Sequence, residues 1–203
     1  MKYFTLILLF VLVSCGNQED ILLPKSNVTL VSDVQDHSPI YIFFRTKGKD
    51  TLAEVNRKNS IISTNWILNI DKRLPLRLVI PELMKLQQKK RQEVAHKNEL
   101  AENYYSYADS IGKNMAFLPF TKVYYKMEKP KSSYVIFFSK NNQIYGDGFS
   151  GSREELKHFL ISFEDKYRNI RFGFDKNMSY GAYIQNEIFI QSLKFESKEE
   201  FIY

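Results

Sequence analysis

Cysteine is nearly absent: Cys15 is the only one in the chain. No internal disulfide and no thiolate metal site can hold this fold, so it must rest on its own core. Histidine is almost as scarce. His37, His96 and His158 are dispersed, with no His-x-x-x-His or His-Glu-x-x-His spacing to bring two imidazoles to one metal. Asp36-His37 reads as an ordinary surface pair in a loop. Glycine is sparse too, and no Walker loop occurs. Gly146-x-Gly148-x-x-Gly151 formally fits a dinucleotide fingerprint but follows a very short strand, and Gly148-Phe149-Ser150-Gly151 lacks the spacing of a serine nucleophile elbow. These absences argue against most familiar enzyme classes and lead us to expect no cofactor and no metal. The net charge of +6 is mild and dispersed. It suits a neighbourhood of anionic lipid or polymer and gives no sign of nucleic acid as a partner.

What is present begins at the first residues. Lys2 precedes an almost wholly apolar run, Tyr3 to Val13, of about eleven residues. That is too short for a membrane-spanning helix, which needs roughly twenty, but a basic start and a short apolar core are the layout of an export signal. The run ends Leu12-Val13-Ser14-Cys15, which resembles the lipobox of bacterial lipoproteins. The resemblance implies that residues 1–14 are a signal peptide and that Cys15 carries the lipid. Acyl chains such as palmitate would then anchor the protein to the membrane, at about 0.8 kcal/mol per buried methylene. It implies a place in the bacterial cell envelope, at the outer membrane, with the periplasmic or surface side left open. Residues 15–26, polar and aperiodic with Pro24, read as the lipidated tether.

The remainder has the composition of a folded α/β (α+β) protein, 44% hydrophobic and 15% aromatic, and it contains an approximate internal repeat. Ile40-Tyr41-Ile42-Phe43-Phe44 is echoed by Tyr134-Val135-Ile136-Phe137-Phe138. Trp66 to Ile70, followed by Asp71-Lys72, is echoed by Ile170 to Phe174, followed by Asp175-Lys176. Each copy is a strand, an intervening segment, a second strand ending in Asp-Lys, and a candidate helix. A tandem of two related lobes is expected, residues 27–128 and 129–203. In the second, Ser133–Ser139 and Gln143–Gly146 read as strands about an Asn141-Asn142 turn. Ser152 and Glu155 form a capping box. Leu156, Phe159, Leu160 and Phe163 then share one helix face. Asn169–Phe174 is a strand, Ser179 caps a helix over Tyr180–Leu193, and Phe201–Tyr203 is a last strand, in the order β-β-α-β-α-β. The first lobe is less regular. Asn27–Ser32, Pro39–Arg45 and Ile61–Ile70 read as strands. A long helix is expected over Glu82–Ile111, with Pro81 at its start or at a kink, and Phe120–Met127 reads as a strand joining the lobes.

The strand and turn Tyr134–Gly146, the helix opening at Ser152 and the stretch Ile170–Gly181 resemble the periplasmic domain of the ExbD/TolR family. The likeness covers about a third of the chain. It implies a binding lobe that meets an envelope protein complex or peptidoglycan. The family's membrane helix, with its proton-carrying aspartate, has no counterpart here, so motor function does not carry over.

Candidate contact residues follow from the repeat. Asp71 and Lys72, and Asp175 and Lys176 with nearby Tyr180, lie at matching strand-to-helix turns, where binding groups often gather. The blander account is that each aspartate satisfies backbone amides in its own turn. Lys85, Lys89, Lys90, Arg91 and Lys97 read as a solvated helix face or a contact for anionic lipid. Tyr104, Tyr105, Tyr107, Tyr124 and Tyr125 read as a packing layer or a carbohydrate-stacking surface. The function expected is that of a lipid-anchored, non-catalytic envelope protein binding a protein or polymer, and the resemblance implies that it is accessory to ExbD/TolR-type energised transport. The rival is a cell-wall hydrolase using Asp71 or Asp175 as acid or base, which requires a carboxyl with a raised pKa in a cleft between the lobes.

Overall fold

In the computed structural model, residues 20–95, 97–131, 134–146, 148–161, 170–194 and 198–203 are described. The expected signal peptide, Cys15, His96 and Phe163 lie outside them.

Strand β2 (His37–Lys47) turns back on β3 (Asp50–Asn56), and β4 (Asn65–Ile70) runs parallel to β2 on its other side. Helix α1 (Leu76–Gln92) then carries the chain to β5 (Asn103–Asp109), parallel to β4. The second half repeats this plan. Strand β8 (Val135–Phe138) turns back on β9 (Ile144–Gly146), which is followed by the short β10 (Phe149–Gly151) and helix α2 (Arg153–Ile161). Strand β11 (Arg171–Phe174) then runs parallel to β8, and helix α3 (Tyr180–Ser192) leads to β12 (Glu199–Ile202), parallel to β11. The two cores therefore have the same strand order, β3-β2-β4-β5 and β9-β8-β11-β12. Four further strands complete the two six-stranded sheets: β1 (Lys25–Ser26) and β6 (Asn114–Pro119) on β5, β7 (Tyr124–Lys126) on β12, and β10 on β9. The class is α/β (α+β), and the repeat expected from two short sequence matches is a repeat of topology. One extra strand, β10, enters the order expected for the second half.

The halves meet at their Asp-Lys turns. Pro75 and Ser179 face each other in an antiparallel bridge. Gly181 N donates to Lys72 O (3.0 Å) and Arg77 N to Lys176 O (2.7 Å), while Tyr180 N donates to Leu74 O (2.7 Å) and Leu76 N to Met178 O (2.9 Å). Each bond in one direction has its counterpart in the other, the pattern of a local two-fold axis. The bonds also fix where the helices start. The first amides of a helix have no partner within it, and here the opposite turn supplies carbonyls to α1 and α3. Pro81 therefore sits inside α1 rather than at its start.

Helix α1 is amphipathic, burying Leu76, Val79, Ile80, Leu83, Leu86, Gln87 and Lys90 at helical spacing. Helix α3 is buried more broadly, through Tyr180, Tyr183, Ile184, Asn186, Glu187, Ile188 and Ile190. One continuous apolar core joins residues of both halves, including Ile42, Leu68 and Leu83 of the first and Phe138, Phe174 and Ile184 of the second. At about 1.5–3 kcal/mol for each large side chain buried, this shared core is the main stabilising force.

Several expectations are corrected. The long helix over Glu82–Ile111 ends at Gln92. Beyond it, Asn103–Asp109 is buried at Asn103, Tyr105, Ser106, Tyr107 and Asp109, a two-sided burial that a strand inside a sheet satisfies. Strands β3 and β6 were not anticipated. The strand expected over Asn27–Ser32 is reduced to a single bridge, Val31 with Phe117. The last residues of the segment expected as a tether, 15–26, pack against the fold. Pro24 is buried, Lys25–Ser26 pairs with Ala108–Asp109, and Lys72 N donates to Leu22 O (2.8 Å). At the other end, Ser152 N donates to Glu155 Oε2 (2.6 Å) and Glu155 N to Ser152 Oγ (3.3 Å), the expected capping box.

Gly181 lies where the halves pack tightly: a Cβ there would lie 3.1 Å from Lys72 Cβ and 3.3 Å from Lys72 O. Gly181→Val is expected to cost about 1–3 kcal/mol by overpacking this seam. Urea denaturation checks it, and an unchanged midpoint would show that the seam has room.

Candidate functional site

The two Asp-Lys turns are built alike. Asp71 Oδ1 accepts from Arg73 N (3.0 Å), and Asp175 Oδ1 accepts from Asn177 N (2.8 Å). Asp71 is the more deeply held. It is buried, and Arg73 grips both its oxygens, Nε to Oδ1 (2.9 Å) and Nη2 to Oδ2 (2.7 Å). Burial pulls the Asp71 carboxyl up, but the Arg73 side chain, with the Arg73 and Leu22 amides, outweighs it and holds the group below its usual value. Such a carboxylate stays ionised and engaged in its turn. Lys176 is exposed and Lys72 half-buried, whereas Tyr180 is fully buried with a hydroxyl that has no hydrogen-bond partner among the described residues. The structure thus gathers these residues at one seam, but as framework.

The basic stretch is also partly framework. Lys90 turns inward and donates to Thr64 O (2.9 Å), Asn103 Oδ1 (2.9 Å) and Glu102 O (3.3 Å), with its ammonium 4.8 Å from the Trp66 ring. Burial pushes its pKa down to about 8. Arg91 stacks 3.9 Å from the Tyr124 ring centre and donates to Thr121 O and Val123 O. Lys85, Lys89 and Lys97 are exposed, Lys85 paired with Glu82 and Lys97 with Glu99.

A concavity lies elsewhere, between the halves. A cleft of about 520 Å³ is bounded by the start of β5, the segment Leu118–Val123, one side of α3 and the start of β12. Its floor holds Glu187 and Glu200, which are 9% and 1% exposed. The two carboxyls are hydrogen-bonded to each other. Glu200 Oε2 also accepts from Tyr183 Oη (2.6 Å), Tyr183 Oη lies 3.2 Å from Tyr125 Oη, and Tyr125 Oη lies 2.5 Å from Tyr105 Oη. A hydroxyl has one proton to give. Tyr183 gives its own to Glu200, so Tyr125 donates to Tyr183 and Tyr105 to Tyr125. The chain of hydroxyls ends on one carboxylate. Tyr105 also stacks on Phe120 at 3.7 Å between ring centres, forming an aromatic wall.

Burial drives the chemistry of the pair. Desolvation raises the Glu187 carboxyl well above its usual value, and Glu200 beside it adds to the effect. Desolvation raises Glu200 to about 7, against the opposing bonds from Tyr183 and Glu187. The pair therefore holds a shared proton at neutral pH, with Glu187 donating to Glu200. Glu187 Oε1 is left buried with no hydrogen-bond partner among the described residues. The cleft mouth carries Lys122, Lys194 and Lys198, all exposed.

Sequence reasoning missed both glutamates, although a signal was present. Glu187 lies seven residues after Tyr180 and four after Tyr183, on the helical stripe of buried side chains. Glu200 alternates onto the same strand face as Ile202. The tyrosine layer was anticipated: Tyr105, Tyr107 and Tyr125 are buried, while Tyr104 is half-buried and Tyr124 exposed.

Two outcomes follow. Tyr180→Phe removes an unpartnered buried hydroxyl, so thermal melting is expected to be unchanged or raised by up to about 1 kcal/mol in stability. The carboxyl pair makes stability depend on pH. Groups that bind protons more tightly in the folded state favour folding most below their unfolded value, 4.5. That advantage is lost as pH rises to about 7 for Glu200 and further for Glu187. For Glu200 the loss is on the order of 3 kcal/mol. Glu200→Gln should flatten the fall in melting temperature between pH 4.5 and about 7, and an unchanged slope would show that the pair is not its source.

Compared with known proteins, the chain matches no family model, no curated protein and no solved structure.

Proposed function

We propose that this is a lipid-anchored, non-catalytic protein of the bacterial cell envelope, and that it engages an envelope protein or a polymer such as peptidoglycan through the cleft between its halves. The observation that carries the reading is the cleft itself, about 520 Å³ with an aromatic wall and a polar floor. Concave sites of this size, with few convergent polar groups, are where proteins bind small ligands or the protruding groups of larger ones. The anchor rests on Leu12-Val13-Ser14-Cys15. A role beside an ExbD/TolR-type assembly rests on the resemblance carried by Tyr134–Gly146, the helix opening at Ser152 and the stretch Ile170–Gly181.

The hydrolase reading gains one feature from the structure, carboxyls with raised pKa in the cleft, but on Glu187 and Glu200. Neither Asp71 nor Asp175 lines it. Glycosidic cleavage uses two carboxyls facing across a gap of about 5–9.5 Å, whereas these two are bonded to one another. Binding fits the geometry better.

The test is in-cell photocrosslinking from a probe residue at Lys194 on the cleft mouth, compared with the same probe at Lys49 in the β2–β3 turn. An envelope protein or cell-wall fragment enriched only from position 194 is expected. Equal yields from both positions would overturn the cleft as the binding site. In the same cells, Cys15→Ser should lose label from a clickable palmitate analogue and leave the membrane fraction. Retention of both would overturn the anchor.

A further inference from the structure

The cleft has acidic and basic parts at different depths. Its floor is Glu187 and Glu200, its mouth Lys122, Lys194 and Lys198. None of the three lysines is ion-paired among the described residues. Glu187 lines the cleft, and its Oε1 is a buried acceptor with no hydrogen-bond partner among the described residues. Buried acceptors in folded proteins are nearly always paired. The arrangement asks for a group that brings donors and positive charge to the floor.

We infer that the cleft binds a small zwitterion, an amino-carboxylate such as an amino acid or the end of a short peptide, with its ammonium on Glu187 and Glu200 and its carboxylate among Lys122, Lys194 and Lys198. The inference rests on the cleft being the binding site proposed above.

An ammonium carries three donors and no acceptor, matching a floor that is rich in acceptors. A metal ion fits less well, because no group of three or more His, Cys, Asp or Glu that could hold one occurs among the described residues. Binding has a proton balance. An incoming ammonium favours both carboxyls in their charged form, so the proton shared by Glu187 and Glu200 passes to the buffer. The ligand keeps its own protons.

Isothermal calorimetry on the full-length protein in detergent tests this, near neutral pH and in two buffers of different ionisation enthalpy. The probes are ω-amino acids of increasing chain length, the matching alkylamines and the matching carboxylates. One ω-amino acid should bind at least about tenfold more tightly than its amine or its carboxylate, because each of those leaves one end of the site unpaired. The apparent enthalpy should depend on the buffer, reporting proton release. Glu187→Gln keeps an amide donor toward Glu200, and its circular-dichroism melt verifies folding. It should weaken the amino acid by at least about tenfold and reduce the buffer dependence. Lys194→Gln with Lys198→Gln should weaken the amino acid and leave the amine unaffected. Carboxylates binding as tightly as amino acids, or affinity untouched by Glu187→Gln in a folded protein, would overturn the zwitterion assignment. Failure of every probe at millimolar concentration would overturn it as well. The crosslinking from Lys194 decides separately whether the cleft binds at all.

Discussion

The reciprocal pairing of the two Asp-Lys turns is the constraint on which the rest of the molecule depends. Four backbone bonds and the Pro75–Ser179 bridge tie the halves together at the point where each chain passes from strand to helix. The same bonds use the free amides at the helix starts, which otherwise need a cap or water. Ser179 adds a side-chain cap to α3, its Oγ accepting from Ala182 N, but Pro75 can offer none to α1. For α1 the opposite half is the cap. The register of one half therefore determines where the helix of the other begins.

With the turns joined, α3 lies against elements of both halves, and its polar residues are buried along with its apolar ones. Arg153 donates to Asn186 Oδ1 (2.9 Å), and Tyr183 and Glu187 meet Glu200 and Tyr125. Two carboxyls this deep cannot both ionise without a compensating charge, so they share a proton and draw a chain of tyrosine hydroxyls toward them. The cleft above them is a product of the same assembly. One wall comes from the end of β6 and the residues after it, Leu118–Val123, and the other from α3 and β12 of the second half. The site does not exist within either half alone.

The turn residues and the cleft residues have different kinds of work. Asp71 and Asp175 resemble functional aspartates in position, at the carboxyl ends of parallel strands, yet each accepts the amide two residues on. Lys90 and Arg91, which look like part of an exposed basic face, hold the loops around β4, β5 and β7 through carbonyls and aromatic rings. The cleft differs from both, with a buried acceptor without a donor at the floor and three exposed lysines at the mouth.

The sequence by itself determined the α/β class, the two-fold repeat of strand, strand and Asp-Lys turn, the capping box at Ser152 and Glu155, and the Ser179 cap. Each is a local signal, carried by residues within a few positions of one another or by a short apolar run, and local hydrogen bonds and burial patterns need no distant partner. Only the tertiary structure decided that the helix stops at Gln92 and that Asn103–Asp109 becomes a strand. A stretch containing Glu99-Leu100-Ala101-Glu102 favours helix until a sheet accepts the tyrosines that follow. It also decided that Pro81 falls inside a helix, because that start is imposed by Lys176 and Met178, about a hundred residues away in the chain. Above all it decided the fate of Glu187 and Glu200. A glutamate on a helix or a strand is ordinarily a solvated charge, and these two become a proton-sharing pair only because α3 and β12 close over them.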